Sequence, residues 1–482
     1  MKKLTLNITL LVILSIIVTS CANETPDFPD SSTTAAQTES NGVLGRESVS
    51  DMLPETDWDG REFRIIATDY LSDDFIAEEE TGSLINDAVY NRNRTIEERF
   101  NVDLVADCGS DYNATNSLVV SSIMSGEDEY DLVLNHMITT AASAADNLFM
   151  DWNDVDYIDV TKPWWNYSSY ENLSVDGRSY MIIGSISPYY LGEYYCVYFN
   201  KRLGLDYGID DSIYDIVLDG KFTIDYYYSL IKDKWLDLNS NGVMDEDDFY
   251  GLAAQVSSYA TPFIYSFGET TVKNDADGIP RLAMNSEKFA DIVSKVYQLF
   301  YESSGTLTTS GWSLHTDTFL DGRAIFFNGV FLHSYQYFTD FEDEYGILPY
   351  PKWDEVQDEY YTMSDGSSPL AAIPKTVTDT AFVGMITEAL AAESWRTVIP
   401  TMYDVALKVR GVRDERSVEI IDLIANSAVV DFGFVYSDFS GMGFTLANLM
   451  EAKNKNFASF YAANKESWEN RIDDIIEAYE TN

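Results

Sequence analysis

The chain has 482 residues, of which 45% are hydrophobic and 14% aromatic, and it carries a formal net charge of −49 at pH 7. That charge excludes binding to nucleic acid or to an anionic membrane surface, because both need clustered Lys and Arg side chains. The length predicts two or three globular domains with ordinary cores.

The N-terminal residues predict export and a lipid anchor. Two lysines precede an apolar run from Leu4 to Val18, and small residues then lead to Cys21. A basic start, a short apolar run and a small-residue cleavage site are typical of a secretory signal, and the run is too short for a comfortable membrane span. Residues 1–20 resemble a bacterial lipoprotein signal peptide, with Cys21 as the lipidation site. We therefore expect the mature protein on the extracellular face of the cytoplasmic membrane, anchored there by lipid.

Residues 21–57 are predicted to be a flexible tether. They are rich in Ser, Thr, Asn, Pro and acidic residues and have little apolar content. A segment of this composition cannot bury enough apolar surface to fold.

Strands and helices alternate after the tether. Hydrophobic periodicity predicts strands over 61–67, 102–105 and 131–134, and helices over 84–100 and around 118–124. This alternation predicts βαβ units and a parallel sheet.

Ligands of such sheets bind beyond the carboxyl ends of the strands, where loops leave the sheet. The residues that follow the first and third predicted strands are therefore candidate ligand-binding residues. They are Asp69, Tyr70, Asn135 and His136.

A tryptophan pair is a further candidate. Trp164 and Trp165 follow Pro163 in a polar stretch that predicts a loop. An indole face stacks on the apolar face of a sugar ring, which contributes about 1–3 kcal/mol. We expect this pair to form a sugar-binding platform, whereas most other aromatic residues are expected in the core.

Residues 237–248 match the calcium-loop pattern. Oxygen-bearing groups occupy the ligand positions, and Gly242 stands where the loop turns sharply. The predicted ligands are Asp237, Asn239, Asn241, Val243 through its carbonyl, Asp245 and Asp248. Asp248 replaces the usual Glu at the last position. A structural Ca²⁺ is expected here.

Other chemistry is weakly indicated. Cys108 and Cys196 are far apart in sequence, and the sequence leaves open whether they pair. The G-x-S-x-G nucleophile motif and the phosphate-loop motif are missing, and with 80 acidic residues any pair of carboxylates is uninformative. We expect no enzyme activity.

Several segments, taken together in order and spacing, carry a family resemblance. They are Asp131–Val133, Glu193–Lys201, Phe319–Gly329, Tyr345–Lys352 and Ala371–Lys375. With the signal and its cysteine, they resemble bacterial extracellular solute-binding proteins of the carbohydrate class (family 1, maltose-binding-protein-like), which are the capture subunits of ABC importers. The resemblance extends over about residues 58–482.

The resemblance implies an α/β, two-lobed periplasmic-binding-protein-like fold of type II. Hinge crossover strands would join the lobes, and the ligand cleft would lie between them. The first lobe would hold residues 58–196 plus 347–399, and the second 197–346 plus 400–482. The calcium loop would be an insertion on the second lobe.

The resemblance also implies further ligand-binding residues. Glu193 matches a sugar-binding carboxylate at the crossover, and Tyr259 matches a stacking aromatic residue. Phe331 stands where the family has a stacking Trp, Asn328 ends the strand before the cleft, and Asp365 lies in a loop before a first-lobe strand.

The resemblance implies that the protein captures a carbohydrate by lobe closure and delivers it to ABC permease subunits. An oligosaccharide is the expected ligand. The protein would act as a monomer. A surface glycan hydrolase, a sensory protein that presents sugar to a receptor kinase, and an adhesin remain alternatives.

Overall fold

The computed structural model describes residues 43–480, apart from 312, 339, 409–414 and 438–440. The predicted signal peptide (1–20), Cys21 and the first part of the tether lie outside the described residues. In the described part of the chain, no helix is both long enough and apolar enough to span a bilayer.

The strands, in chain order, are β1 (Arg61–Thr68), β2 (Val102–Gly109), β3 (Leu132–His136), β4 (Tyr195–Asn200), β5 (Trp235–Leu236), β6 (Phe249–Gln255), β7 (Val272–Asn274), β8 (Pro280–Leu282), β9 (Thr306–Thr309), β10 (Ala324–Val330), β11 (Tyr345–Leu348), β12 (Thr362–Met363), β13 (Pro369–Ala372) and β14 (Ala428–Val429). The α-helices are α1 (Val43–Arg46), α2 (Leu84–Phe100), α3 (Tyr112–Ser125), α4 (Met137–Ala145), α5 (Tyr167–Leu173), α6 (Lys201–Asp206), α7 (Ser212–Leu218), α8 (Ile224–Ile231), α9 (Val256–Tyr259), α10 (Pro262–Ser266), α11 (Glu287–Tyr301), α12 (Leu314–Leu320), α13 (Leu332–Gln336), α14 (Thr380–Glu393), α15 (Ile399–Lys408), α16 (Glu415–Asn426), α17 (Phe432–Val435), α18 (Thr445–Glu451) and α19 (Phe457–Glu480).

The first lobe is built on a sheet of order β13-β3-β1-β2. β1 pairs in parallel with both β2 and β3, whereas β13 is antiparallel to β3. α2 and α3 make the crossovers between the parallel strands. Residues 65–68 of β1 and all of β3 are buried, as expected for strands covered by helices on both faces. The carboxyl ends of β1, β2 and β3 therefore meet at one edge.

The second lobe is built on a sheet of order β11-β4-β10-β6, with β5 and β9 both pairing with β6. β6 is parallel to β10, and β4 is antiparallel to β10. Because of that register, Tyr195 at the start of β4 lies opposite Val330 at the end of β10. The start of β4 and the carboxyl end of β10 thus share one edge.

Two crossover segments run side by side between the lobes. A short 3₁₀ helix, Pro188–Glu193, leads into β4, and the return segment leaves the second lobe before β13. Tyr194 and Ser364 form an antiparallel bridge, and the N–H of Asp365 donates to the carbonyl of Glu193 at 2.8 Å. This is the hinge that the resemblance implied.

The return crossover lies later in the chain than the expected boundary at 347. β11 stays in the second sheet beside β4, and the Tyr350 ring packs 4.9 Å from that of Phe263. The backbone of Lys352 is hydrogen-bonded to Phe222 and Ile224. Residues up to about 363 therefore stay with the second lobe. The other boundary differs little, because β4 begins at Tyr195 rather than after 196.

A third connection passes through a π-helical turn, Ser394–Val398, that joins α14 to α15. α15 still packs on α2 of the first lobe, whereas α16 packs on β11 of the second. The expected division at 399/400 thus falls inside a helical segment that belongs to the first lobe.

The tether predicted for 21–57 is wrong in its last part. The Asp51 carboxylate, 6% exposed, contacts Arg99 at 2.7 Å and Arg396 at 3.5 Å. Arg46 donates to the carbonyl of Trp395 at 2.9 Å. Residues 43–57 are therefore docked on the first lobe through charged groups that composition alone did not pair.

The two cysteines are free thiols. Cys196 is fully buried in β4, and Cys108 lies partly exposed in β2. The disulfide that the sequence left open is not formed in the structure.

Candidate functional site

A cavity of about 530 Å³ lies between the two lobes, which is within the usual range for small-molecule sites. The first lobe contributes the loops after β1, β2 and β3. The second lobe contributes the start of β4, the turns after β6, and the side chains of Phe434 and Phe444. Its lining is Asp69, Tyr70, Ser110, Asp111, Tyr112, His136, Ile138, Tyr195, Ser258, Thr261, Asp365, Gly366, Ser367, Phe434 and Phe444.

The expectation that ligands bind beyond the carboxyl ends of parallel strands, called here the rule of strand ends, correctly predicted part of the cavity lining. Asp69, Tyr70 and His136 line it, as does Asp365 from the return crossover. Asn135 lies beneath it and is 1% exposed. Its amide donates to the carbonyl of Tyr112 at 3.0 Å, and its Oδ1 accepts from the N–H of His136 at 2.8 Å. Asn135 thus fixes two loops of the cavity rather than lining it.

His136 is held as a neutral ring. Its Nδ1 accepts from the N–H of Ile138 at 3.2 Å, and its ring centroid lies 4.8 Å from that of Tyr112. Burial lowers the pKa of His136 to about 4, although Asp365 acts in the opposite direction. With Nδ1 as acceptor, the ring proton is on Nε2 at neutral pH, so that nitrogen is a donor.

Asp365 is fixed from both sides of the hinge. Its Oδ1 accepts from the N–H of Ser367 at 2.9 Å, and its Oδ2 accepts from the hydroxyl of Tyr195. Tyr70 donates its hydroxyl to the carbonyl of Ser367 at 3.0 Å. The carboxylate that sits on the crossover therefore has a defined orientation toward the cavity.

Glu193 does not line the cavity but lies next to it on the first crossover. Glu193 is 3% exposed. Its burial, and to a smaller extent the negative charge of Asp365, raise its pKa well above the ordinary value. A hydrogen bond from Tyr189 acts in the opposite direction without cancelling that rise. Burial and the nearby carboxylate both favour the protonated, uncharged form of Glu193, so this side chain adds a hydrogen-bonding group to the site rather than a charge.

Three expected contact residues lie in the core of the second lobe. Tyr259 is 1% exposed, and its ring stands edge-on to Tyr195 at 5.6 Å. Asn328 is fully buried in β10, opposite Val197. Phe331 is 8% exposed and donates its N–H to the carbonyl of Tyr194 at 3.1 Å. They support the cavity wall and do not line it.

The tryptophan pair is not a platform, which corrects the expectation from the loop. Trp164 and Trp165 are 1% and 2% exposed. Their indole N–H groups donate to the two oxygens of Glu388, at 3.0 and 2.8 Å. Burial raises the pKa of Glu388 to about 8. Both residues border a separate, smaller cavity of about 160 Å³, not the inter-lobe cavity.

Several lining residues were missed. Ser110, Asp111 and Tyr112 follow β2, and the rule of strand ends would have found them had the strand been extended to Gly109. Asp111 caps α3, because its Oδ1 accepts from the N–H groups of Asn113 and Ala114. The second-lobe residues Tyr195, Ser258, Thr261, Phe434 and Phe444 gave no local signal.

The predicted calcium loop is curled around its polar side chains. Asp237 accepts from the N–H groups of Asn241 and Gly242, at 3.2 and 2.7 Å. The amides of Asn239 and Asn241 both donate to Asp245. Gly242 has a φ of +74°, the left-handed turn expected at its position.

Asp248 departs from the expected ligand set. It is fully buried, and its carboxylate accepts from the indole of Trp235 at 2.8 Å and from the N–H of Leu238 at 3.0 Å. Within the described residues, no group of three or more His, Cys, Asp and Glu side chains is arranged to hold a metal ion. The amides must therefore supply oxygens if the loop is to bind calcium.

No family model matches the sequence, and a sequence search of characterised proteins gives no match. Solved structures are similar in fold. A cyclo/maltodextrin-binding protein complexed with maltotetraose has a TM-score of 0.55 at 11% identity, covering 88% of this chain and 97% of that one. UgpB from Mycobacterium tuberculosis, in complex with glycerophosphocholine, has a TM-score of 0.54 at 13% identity, covering 86% and 98%.

The maltose/maltodextrin-binding domain MalE from Bdellovibrio bacteriovorus, bound to maltotriose, has a TM-score of 0.50 at 14% identity, covering 87% of this chain and 99% of that one. At such identities the likeness establishes the fold. The chain therefore has the two-lobed α/β fold of these solute-binding proteins, as its sequence resemblance predicted.

Proposed function

We propose that this protein is the lipid-anchored, extracellular solute-binding subunit of an ABC importer and that it captures a carbohydrate by lobe closure. The observation that carries the proposal is the composition of the inter-lobe cavity. Carboxylates, hydroxyls and a histidine donor alternate there with tyrosine and phenylalanine rings. Sugar rings need both kinds of group, since their hydroxyls exchange hydrogen bonds and their C–H faces pack on aromatic rings.

One side chain points to a polar ligand in particular. Thr261 is 1% exposed and lines the cavity, yet its hydroxyl has no hydrogen-bond partner. A buried hydroxyl without a partner is costly, and a ligand hydroxyl would satisfy it. Thr261 is on the second lobe and His136 is on the first, so a ligand bound to both would hold the lobes together.

Capture by hinge motion is supported by the crossover geometry. The two crossover segments pair through the bridge of Tyr194 and Ser364 and through the bond between Asp365 and Glu193. Small changes in the dihedral angles of such segments separate two rigid lobes. In this proposal the protein performs no covalent chemistry and acts as a monomer.

The partners follow from the expected export signal and from the fold. Cys21 would carry the lipid, and the tether that precedes α1 would let the lobes reach permease subunits in the same membrane. Two of the three similar structures are named as a maltodextrin-binding protein or domain and hold maltotetraose or maltotriose, and the third, UgpB, is in complex with glycerophosphocholine. These features favour transport over a glycan hydrolase.

We also propose that the loop 237–248 binds a structural Ca²⁺ ion. Asp237, Asn239, Asn241 and Asp245 already converge, and rotation of the two amides would turn their oxygens toward the ion. Val243 would contribute its carbonyl. Asp248 would keep its present bonds and act as a support.

Thermal-shift screening against an oligosaccharide panel, followed by calorimetry, tests the carbohydrate proposal. The wild type should melt higher with at least one glycan, and Thr261→Val should lose most of that shift. Asp277→Asn, an exposed change on the β7–β8 hairpin, should keep it. Binding of peptides or other solutes with no response to any glycan would overturn the proposal, and release of reducing ends would favour the hydrolase.

A further inference from the structure

The charged side chains that line the inter-lobe cavity are all acidic among the described residues. Asp69, Asp111 and Asp365 all line it, and among the described residues that do so there is no Lys or Arg. Its one histidine is neutral at pH 7. No cationic side chain of the described lining offsets these three carboxylates, so a cationic group on a ligand would be attracted to this cavity.

The carboxylates also retain acceptor capacity. Asp365 accepts one bond on each oxygen, from Ser367 and from Tyr195, and a carboxylate has about four acceptor sites. Asp111 accepts both capping bonds on Oδ1, and none of the described residues donates to its Oδ2. These positions are suited to a donor with several hydrogens.

The apolar part of the lining suits a cation as well. Tyr112, Phe434 and Phe444 line the same cavity as the carboxylates. Aromatic rings attract ammonium groups through their quadrupoles, and the attraction grows as the site is desolvated. The buried, unpartnered hydroxyl of Thr261 is an independent sign that a ligand occupies this space.

Resting on the proposed function, we propose that the captured sugar carries a free ammonium group, as an unacetylated amino sugar does. The ammonium would lie at Asp365, in the cavity that Asp69 and Asp111 also line. The hydroxyls of the sugar would form hydrogen bonds with His136 and Thr261. Anionic sugars, such as uronic acids and sugar phosphates, would be excluded by the same charges.

Calorimetry with matched ligands tests this inference. Glucosamine, galactosamine and β-1,4-linked glucosamine oligomers are compared with their N-acetylated and hydroxyl counterparts of equal length. We expect the best amine ligand to bind at least about tenfold more tightly than both counterparts, because charge-assisted hydrogen bonds are the stronger ones. Added salt should reduce that preference.

Two substitutions test which carboxylates cause the preference for an amine ligand. Asp365→Asn and Asp69→Asn should each reduce the preference for the amine several-fold, whereas the matched exposed variant Asp277→Asn should leave it unchanged. Asp69 is exposed, so its variant should fold even if that of Asp365 does not. A preference that neither variant alters would overturn the inference.

The possible failures are distinguishable. Neutral sugars that bind as tightly as amines would overturn the charge inference and leave the carbohydrate proposal intact. If peptides or other solutes bind and no glycan does, the carbohydrate proposal is wrong. If nothing in either panel binds, both are wrong.

Discussion

The hydroxyl of Tyr195 donates to the carboxylate of Asp365, and this bond joins the first strand of the second lobe to the return crossover. Tyr195→Phe would remove the hydroxyl and keep the ring that packs on Tyr259. We expect ligand affinity to fall about tenfold, because the carboxylate loses its orientation, while the free energy of unfolding falls by only about 0.5–1.5 kcal/mol. Calorimetry and denaturant titration measure the two effects.

Tyr198→Phe is the matched control for that variant. Tyr198 lies on the same strand, is fully buried, and donates to the carbonyl of Val330 at 2.9 Å, away from the cavity. It should lose a similar amount of stability with no change in affinity. Equal losses of affinity in both variants would contradict a specific role for the Tyr195 hydroxyl.

The bonds from Trp164 and Trp165 to Glu388 predict a destabilised variant. Glu388→Gln would place an amide NH₂ against one of the indole N–H groups, two donors facing each other. We expect a loss of about 1–3 kcal/mol in the free energy of unfolding, with ligand affinity unchanged. Glu302→Gln, at an exposed glutamate paired with Lys455, should change stability by less than about 0.5 kcal/mol. A loss of sugar affinity in Glu388→Gln would revive the platform hypothesis.

The same carboxyl predicts a pH dependence of stability. Burial raises the pKa of Glu388 to about 8 from its ordinary value of 4.5. The folded protein therefore keeps a proton that the unfolded chain releases, and this contribution to the free energy of unfolding falls as pH rises from about 4.5 to about 8. Denaturant titrations at several pH values should give a steeper fall for the wild type than for Glu388→Gln. Parallel curves would contradict the raised pKa.

The docking of residues 43–57 predicts an effect at Asp51. Asp51→Ala would leave Arg99 and Arg396 without their shared carboxylate. We expect a loss of about 1–3 kcal/mol and faster proteolysis within this segment, whereas the exposed change Glu47→Ala should do neither. Equal cleavage rates in the two variants would mean that the segment is held by other contacts.

Calcium should raise the melting temperature if the loop binds it. Saturation at about a hundred times the dissociation constant corresponds to about 2.7 kcal/mol. Asp245→Ala should abolish the shift, and Asp277→Ala should preserve it. A chelator that leaves the melting temperature of the wild type unchanged would contradict the calcium proposal.

Local pattern predicted the first lobe closely. The strand expected over 61–67 is observed as Arg61–Thr68, and the helix over 84–100 has the observed bounds. Both depend on periodicity within the segment itself. The rule of strand ends then placed Asp69 and His136 correctly at one edge, since parallel strands bring their carboxyl ends together.

The rest of the cavity depends on contacts that the sequence does not encode locally. Thr261 and Phe434 line the inter-lobe cavity because the three connections between the lobes set how the lobes meet. The Trp164–Trp165 segment looked like an exposed polar loop because its partner, Glu388, lies 224 residues after Trp164. Long-range pairing of buried polar groups overrode the local signal in that case.

The most direct test of the central claim is a crystal structure with the glycan that gives the largest thermal shift. The account predicts one sugar between the lobes, bonded to Asp365 and His136 of one wall and to Thr261 of the other. A glycan bound elsewhere on the protein, with this cavity unchanged, would contradict it.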